Sequence, residues 1–169
     1  MATTSLRGNP VNLDGNLPAV GDKAPDFNLV KQDMSATTLA DYAGKVKVLV
    51  ALPSLDTPVC AKEAKEFNTQ VSGLNDTVAI VVSGDLPFAM KRYCAAEGVE
   101  NVVTGSQYRD QNFSKAYGTH MIDGPLVDLS ARAVFVVDKD DKIAYVELVP
   151  DIAKEPDYDT ILGEVKKLL

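Results

Sequence analysis

The hydrophobic positions of the chain alternate between short apolar runs and longer amphipathic stretches. Residues 46–52 and Thr77–Ser83 are almost continuously apolar, which is typical of strands buried on both faces of a sheet. Apolar residues spaced three to five positions apart follow the first run and predict a helix over residues 58–74. A second helix is predicted over Pro87–Glu97, with Gly98 placed as its left-handed C-terminal cap.

The rest of the pattern predicts additional strands and two more helices. Glycine, asparagine and proline interrupt the first forty residues, which favours a hairpin and edge strands there. A short strand is expected at 102–104 and a weaker helix at Asn112–Tyr117. Residues 133–138 and 142–149 flank a polar turn and predict an antiparallel hairpin, after which an apolar stripe indicates a closing amphipathic helix.

This order of elements predicts an α/β protein with a thioredoxin-like fold, in which a central mixed β-sheet is flanked by helices and preceded by an N-terminal β-hairpin. The chain has 169 residues, of which 46% are hydrophobic, enough for one sizeable core. No repeat, linker or low-complexity tract interrupts the pattern. We therefore expect residues 1–169 to form a single domain.

The net charge and the length of the apolar runs indicate which binding partners and which cellular compartment to expect. The formal net charge is −7, from 17 basic and 24 acidic residues, which opposes binding to nucleic acid or to an anionic membrane surface. The N-terminal segment lacks the apolar stretch of a secretory signal, and no run approaches the ~20 apolar residues of a membrane span. We expect a cytoplasmic protein with no nucleic-acid and no membrane partner.

The cysteine and histidine content narrows the chemistry. The chain has two cysteines, Cys60 and Cys94, and one histidine, His120. Two cysteines are too few for a secreted disulfide scaffold, and with His120 they fall short of the four ligands of a structural zinc site. The sequence also lacks the G-x-G-x-x-G phosphate loop, which agrees with a protein that needs no cofactor. His120 itself is expected on the surface or in a loop.

The most informative segment is 52–60, which joins a buried strand to a helix, because ligands of open α/β sheets bind at this edge. If Thr57 is the N-cap, Pro58 takes the first helical position and Cys60 the third. A thiolate there would accept hydrogen bonds from free backbone N–H groups and lie at the positive end of the helix dipole, and both favour the ionised form. The same position also suits a small buried core residue, so position alone leaves both interpretations open.

Three other residues bear on this site. Asp56 is expected to point away from the sulfur, since its carboxylate would oppose a thiolate. Arg132, which opens a strand, could approach Cys60 from across the sheet. Cys94 could approach Cys60 if their helices pack on the same face, although a disulfide needs Cα atoms within roughly 7 Å and helical cysteines seldom reach this without local unwinding. A plain buried cysteine is the alternative for Cys94.

The segment Pro53-Ser-Leu-Asp-Thr57-Pro-Val-Cys60 resembles the Pro-x-x-x-Thr-x-x-Cys motif of the peroxiredoxins. Nearly the whole chain is similar to the bacterial thiol peroxidases, an atypical two-cysteine branch of the peroxiredoxins within the thioredoxin-fold superfamily. Supporting segments include Asp85-Leu-Pro-Phe-Ala, Arg92-Tyr-Cys-Ala-Ala-Glu-Gly, Asp123-Gly-Pro-Leu and Ala131-Arg-Ala-Val. One departure is Pro58, where this branch commonly has glycine; a proline there stiffens a turn that must unwind when the disulfide forms.

The resemblance implies a role for each candidate residue. Cys60 would be the peroxidatic cysteine and Cys94 the resolving one. Thr57 and Arg132 would hold the thiolate and the peroxide, and Pro53 would shield the site.

The resemblance also implies a thiol-dependent peroxidase that serves in antioxidant defence. It would reduce hydrogen peroxide and organic (alkyl, lipid) hydroperoxides to water or alcohols. A sulfenic acid on Cys60 would condense with Cys94 to an intramolecular disulfide, which thioredoxin would reduce without metal, haem or flavin. The family further suggests a homodimer. Two alternatives stay open: a dithiol-disulfide oxidoreductase, whose usual C-x-x-C pair is missing, and a non-catalytic redox sensor that uses the same kind of thiol.

Overall fold

A computed structural model describes residues 2–169 of the chain. Within this range the backbone forms ten strands, four α-helices and one 3₁₀ turn. The strands are β1 (Thr3–Leu6), β2 (Asn9–Asp14), β3 (Asn28–Val30), β4 (Ala36–Thr38), β5 (Val46–Ala51), β6 (Thr77–Ser83), β7 (Val103–Ser106), β8 (His120–Met121), β9 (Ala133–Val137) and β10 (Ile143–Leu148). The helices are α1 (Pro58–Val71), α2 (Pro87–Glu97), α3 (Asn112–Tyr117) and α4 (Tyr158–Lys166). None of the helices in this range combines the length and apolarity needed to cross a membrane.

Seven strands form one mixed sheet in the order β10-β9-β5-β6-β7-β3-β4. The three strands β5, β6 and β7 run parallel, because α1 and α2 are the crossover connections between them. The strands on either side pair antiparallel, including the predicted hairpin of β9 and β10. Every residue of the central strand β5 is buried, as its continuous apolar pattern predicts.

The alternation of side chains along β5 divides the core into two clusters. Val48 faces a cluster that contains residues of α1, α2 and α4, whereas Leu49 faces a second cluster that contains residues of α3. Cys60 and Cys94 both belong to the first cluster. Their helices therefore pack on the same face of the sheet, which was the condition for the two thiols to approach one another.

The N-terminal hairpin is present as predicted and is fixed to the segment that follows β10. Its strands β1 and β2 pair antiparallel, and β8 extends them into a separate three-stranded sheet. At the turn, the Asp151 carboxylate accepts hydrogen bonds from the N–H groups of Arg7 (3.1 Å) and Gly8 (3.0 Å). The amides of Ala153, Arg7 and Gly8 lower the pKa of Asp151 to about 2. These hydrogen bonds hold the hairpin turn next to Asp151, close to Arg132.

Several predicted element bounds differ from the structure by one to three residues, and two of these differences have a local cause. The helix predicted over 58–74 ends at Val71, with Ser72 as its C-cap, because Gly73 follows. The strand predicted at 102–104 extends to Ser106, since residues 105 and 106 continue the pairing with β6. Gly105 is required at this point, because a Cβ there would lie 2.7 Å from Cδ1 of Leu29.

The expectation that His120 lies on the surface or in a loop is wrong. It belongs to β8, and its side chain is about 10% exposed. Its Nε2 lies 3.0 Å from an oxygen of Asp128, and its Nδ1 lies 3.8 Å from an oxygen of Asp14. The predicted pattern did not include the short strand β8. Its pairing with β2 explains why His120 is buried.

Candidate active site

The loop between β5 and α1 is held by a carboxylate at the end of the neighbouring parallel strand. Asp85 follows β6, and its oxygens accept hydrogen bonds from the Ser54 hydroxyl (2.7 Å) and the Leu55 N–H (2.8 Å). The Ser83 hydroxyl donates a third bond of 2.6 Å to the same carboxylate. Because both strands end at the same edge of the sheet, Asp85 can fix the loop that leads into the helix bearing Cys60.

The start of α1 has the register that the sequence predicts. Thr57 is the N-cap with extended backbone, Pro58 is the first helical residue, and Cys60 is therefore the third. The Thr57 hydroxyl donates to the carbonyl oxygen of Ser54 (2.8 Å), and the Thr57 carbonyl accepts from the N–H of Ala61 (2.9 Å). The hydroxyl oxygen of Thr57 can also accept a hydrogen bond through its lone pairs.

Asp56 lies away from the sulfur, as expected. Its carboxylate is exposed and forms an ion pair of 3.6 Å with the guanidinium of Arg92 on α2. The charge of Asp56 is therefore screened by solvent and matched by a cation, which limits its repulsion of a thiolate at Cys60.

Arg132 makes the contact with Cys60 that the sequence left as a possibility. Its Nη2 donates to Sγ of Cys60 at 3.2 Å, and its Nε donates to the carbonyl oxygen of Ile152 at 2.9 Å. The guanidinium is almost completely buried, and Cys60 has no exposed surface. A cation in this low-dielectric position favours negative charge on the sulfur more strongly than the same cation would in water.

Glu63 completes the site and was not predicted. It lies three residues after Cys60 on the same buried stripe of α1, is fully buried, and accepts a bond of 3.2 Å from Nη1 of Arg132. Its other oxygen, Oε2, has no hydrogen-bond partner among residues 2–169. Burial raises the pKa of Glu63 to about 8, although Arg132 acts in the opposite direction. The raised pKa favours the protonated carboxyl, which competes less strongly than a carboxylate for the charge of Arg132.

The sequence contains a feature that could have identified Glu63, although the hydrophobic pattern of α1 makes it easy to overlook. The buried face of α1 runs through Cys60, Ala64 and Phe67, and Glu63 occupies an interior position on that stripe. A carboxyl within an apolar stripe has to be paired or neutral when buried. Its position one turn after the cysteine could have identified it.

A cavity of about 350 Å³ opens on this site. The predicted residues Pro53, Thr57 and Arg132 all line it, and Pro53 is buried while Thr57 is exposed. Its other walls come from the N-terminal hairpin, the start of α1 and two loops, through Leu6, Arg7, Pro58, Val59, Pro125, Leu126, Ile152 and Ala153. Most of these side chains are apolar, so the cavity combines an apolar wall with a buried cation.

Cys94 has a different environment on α2. Both cysteines are free thiols, and Cys94 is only 7% exposed. Burial raises the pKa of the Cys94 thiol above its usual value, while a hydrogen bond with the Gln32 side chain acts weakly in the opposite direction. Cys94 and Gln32 line a second cavity, of about 560 Å³, to which Cys60 does not contribute. The two thiols thus lie in one core cluster, but only Cys94 lines a cavity itself; Cys60 is reached from the smaller cavity through its contact, Arg132.

Comparison with known proteins assigns the class and then the family. The fold and the buried cysteine–arginine contact are those expected of a thiol-based oxidoreductase, and the Redoxin family model matches residues 19–162. A thiol peroxidase from Leptospira interrogans is 58% identical over 171 aligned residues that cover 100% of both chains. This chain therefore belongs to the redoxin family and, within it, to the thiol peroxidases. It is an enzyme, an oxidoreductase that reduces peroxide in a thiol-dependent reaction.

Solved structures agree with this assignment. A peroxiredoxin-like protein from Aquifex aeolicus is 42% identical, with a TM-score of 0.96 over 100% of this chain and 98% of that one. A thiol peroxidase from Chromobacterium violaceum is 22% identical, with a TM-score of 0.89 over 98% and 95% of the two chains, and supports the fold alone. The predicted thioredoxin-like α/β fold is confirmed.

Proposed function

We propose that Cys60 is the residue that attacks the peroxide. The observation that carries the proposal is the contact of 3.2 Å between Sγ of the fully buried Cys60 and Nη2 of Arg132, which also lines the neighbouring cavity. The Cys60 thiolate attacks the terminal oxygen of a hydroperoxide, the S–O bond forms, and the O–O bond breaks. The electron pair of the O–O bond leaves on the second oxygen, which takes a proton and departs as water or an alcohol. The sulfur is oxidised by two electrons and remains as a sulfenic acid.

Arg132 and Thr57 act on the charge that develops in this step. The guanidinium stabilises negative charge that moves from the sulfur onto the leaving oxygen, which lowers the barrier more than it strengthens substrate binding. The Thr57 hydroxyl donates its own hydrogen bond to the carbonyl oxygen of Ser54. Its oxygen accepts a hydrogen bond from the peroxide O–H. Pro53, buried on the wall of the cavity, excludes water from the reacting atoms.

The apolar wall of the cavity supports organic substrates. Leu6, Leu126 and Ile152 can contact the carbon chain of an alkyl or lipid hydroperoxide, while the peroxide group lies at Arg132. Hydrogen peroxide needs only the polar end of this cavity. We therefore propose hydrogen peroxide and organic hydroperoxides as substrates, with a gain in binding for the organic ones.

Cys94 is the residue that we propose to resolve the sulfenic acid. Its thiol attacks the oxidised sulfur of Cys60, a disulfide forms, and water leaves. Both thiols lie in the same core cluster, which supports an intramolecular bond. Thioredoxin, a dithiol, then reduces the disulfide and is itself oxidised; the cavity that Cys94 borders supplies a route to this sulfur.

The remaining features of the proposal come from the family resemblance and the sequence. The enzyme acts in antioxidant defence as a homodimer in the cytoplasm, each chain forming one domain over residues 1–169. It needs no metal or other cofactor, because the two cysteines carry the electrons.

A turnover assay tests the proposal. Wild-type protein with thioredoxin, thioredoxin reductase and NADPH is expected to consume hydrogen peroxide, an alkyl hydroperoxide and a lipid hydroperoxide continuously. The variant Cys94→Ser is expected to consume about one equivalent of peroxide and then stop, because the sulfenic acid has no resolving partner. Sustained thioredoxin-dependent turnover by this variant would show that Cys94 is not the resolving residue.

A further inference from the structure

Tyr93 joins the two cysteine-bearing helices by a partly buried hydrogen bond. It immediately precedes Cys94 on α2, and its hydroxyl donates to the carbonyl oxygen of Ala61, which immediately follows Cys60 on α1. The two oxygens lie 2.5 Å apart, and the tyrosine is 8% exposed. This hydrogen bond, called here the Tyr93–Ala61 bridge, links the backbone beside one thiol to the side chain beside the other.

The Tyr93 hydroxyl remains a donor over the whole physiological pH range. Burial raises the pKa of Tyr93 to about 12, and nearby Glu97 and the two cysteines act in the same direction. Tyr93 also belongs to the core cluster that contains the two cysteines.

Other polar contacts between α1 or its preceding loop and α2 lie at the surface. The Arg92–Asp56 ion pair is 3.6 Å long and the Lys65–Glu97 pair is 2.8 Å long, and all four side chains are more than 40% exposed. Exposed ion pairs of this kind contribute little to stability. The Tyr93–Ala61 bridge is partly buried and its donor residue is 8% exposed, so it is better shielded from competition by water than the exposed ion pairs are.

The proposed disulfide between Cys60 and Cys94 requires this region to rearrange. A disulfide needs a fixed torsion and Cα atoms within roughly 7 Å, and two thiols on separate regular helices seldom satisfy both conditions. The acceptor of the bridge is a carbonyl in the first turn of α1, next to Cys60. Unwinding that turn, or moving α2 toward it, displaces the donor from the acceptor and breaks the bridge.

We propose that Tyr93 is a positioning residue that keeps the turn around Cys60 helical and slows closure of the disulfide. The bridge favours the arrangement in which Cys60 contacts Arg132, so that attack on peroxide occurs in the folded site. The same bridge lengthens the lifetime of the sulfenic acid and so exposes it to a second peroxide, which gives sulfinic acid. This proposal rests on the proposed role of Cys94.

The variant Tyr93→Phe tests it, because it removes the hydroxyl and keeps the ring. Tyr117→Phe is the matched control: the Tyr117 hydroxyl also donates to a backbone carbonyl, that of Pro25, at 2.7 Å, but lies in the other core cluster. Reduced proteins are mixed with increasing concentrations of tert-butyl hydroperoxide, quenched with a thiol-blocking reagent and weighed intact. The mass separates the disulfide, which has lost hydrogen, from the sulfinic acid, which has gained oxygen.

In Tyr93→Phe, disulfide closure is expected to accelerate about two- to tenfold, the factor that corresponds to one neutral hydrogen bond. The peroxide concentration that converts half of the protein to sulfinic acid is expected to rise by the same factor. Amide hydrogen exchange in residues 58–64 of the reduced protein should also become faster. Tyr117→Phe should match the wild type in all three measurements, even if its melting temperature falls.

Different failures are distinguishable. An unchanged ratio of disulfide to sulfinic acid in Tyr93→Phe, or a shift toward sulfinic acid, would overturn the role of Tyr93 and leave that of Cys94 intact. Sulfinic acid without any disulfide in the wild type would overturn both. If Tyr93→Phe does not fold, Tyr93→Met carries the same test, because methionine fills irregular apolar space and also lacks the hydroxyl.

Discussion

The two thiols of this enzyme lie in one core cluster, yet one has a charged neighbour and the other a neutral one. Cys60 is fully buried and lies 3.2 Å from the guanidinium of Arg132. Cys94 is almost as buried, but its described polar partner is the neutral side chain of Gln32, and burial raises the pKa of its thiol. Burial alone therefore does not determine the surroundings of a cysteine: desolvation raises the pKa of the Cys94 thiol, whereas Cys60, also buried, has a cation in contact with its sulfur.

This contrast suits the two steps of the proposed reaction. Attack on peroxide needs a thiolate, whereas the resolving thiol needs to react only after Cys60 has been oxidised. A Cys94 that stays protonated in the reduced protein does not compete for the peroxide.

The largest expected effect comes from Cys60→Ser. Serine fills a similar volume but is not appreciably ionised near neutral pH, so peroxidase activity should fall to the rate without enzyme while the fold is retained. Activity measured with each peroxide, together with circular dichroism, checks this. Retention of most of the activity would remove the distinction between the two thiols on which the proposed mechanism depends.

A smaller but still large effect is expected from Arg132→Met. Loss of the charge should slow the first oxidation of Cys60 about 100- to 1000-fold, the range seen when a group that stabilises the transition state is removed. Stopped-flow kinetics of the reduced protein measure this rate, and denaturant unfolding measures stability.

Lys47→Met is the matched control for Arg132→Met. Lys47 is also a fully buried cation and is paired with Asp141. It lies on β5 in the central sheet. Its replacement should lower the free energy of unfolding without changing the rate of peroxide attack. If both variants lose stability and rate in the same proportion, Arg132 is a structural cation and not a catalytic one.

The smallest expected effect is a change of pH profile in Glu63→Gln, which mimics the protonated acid. Above the Glu63 pKa of about 8, the wild-type carboxylate competes with the Cys60 thiolate for Arg132, so peroxide attack should slow relative to the variant. Stopped-flow rates for both proteins across neutral and alkaline pH measure this difference. Identical pH profiles would contradict the assigned protonation of Glu63.

Stability supplies an independent check on Glu63. Its pKa is raised from 4.5 to about 8, so the folded state keeps a proton that the unfolded state releases between these values. The contribution of this proton to stability is fully present below pH 4.5 and is lost as the pH rises through about 8. The free energy of unfolding of the wild type should therefore fall relative to that of Glu63→Gln over this interval.

The sequence predicted most of the fold, because its buried strands and amphipathic helices have clear periodicity. Periodicity fails where an element is short or is defined by its partner: β8 has two residues, and the burial of His120 follows from its pairing with β2. The register of Cys60 could be predicted from Thr57 and Pro58, since helix starts have local rules. The family motif supplied the rest of the proposed site.

The contacts that cross between elements could not be predicted. Arg132 lies 72 residues from Cys60, and no local rule relates their separation to a contact of 3.2 Å. The same holds for the bond between Tyr93 and Ala61, which depends on the packing of α2 against α1. Glu63 was missed because a carboxyl on an apolar stripe is normally assigned to solvent, and only the burial of Arg132 beside it gives it a partner.

The central claim is that Cys60 is oxidised first and that Cys94 then closes a bond with it in the same chain. The most direct measurement is non-reducing peptide mapping of the wild-type protein after exposure to one equivalent of hydrogen peroxide. The proposed mechanism predicts a peptide pair joined through Cys60 and Cys94, formed at equal yield when the protein is diluted. A bond between the Cys60 residues of two chains, or oxidation of Cys60 with Cys94 still a free thiol, would contradict it.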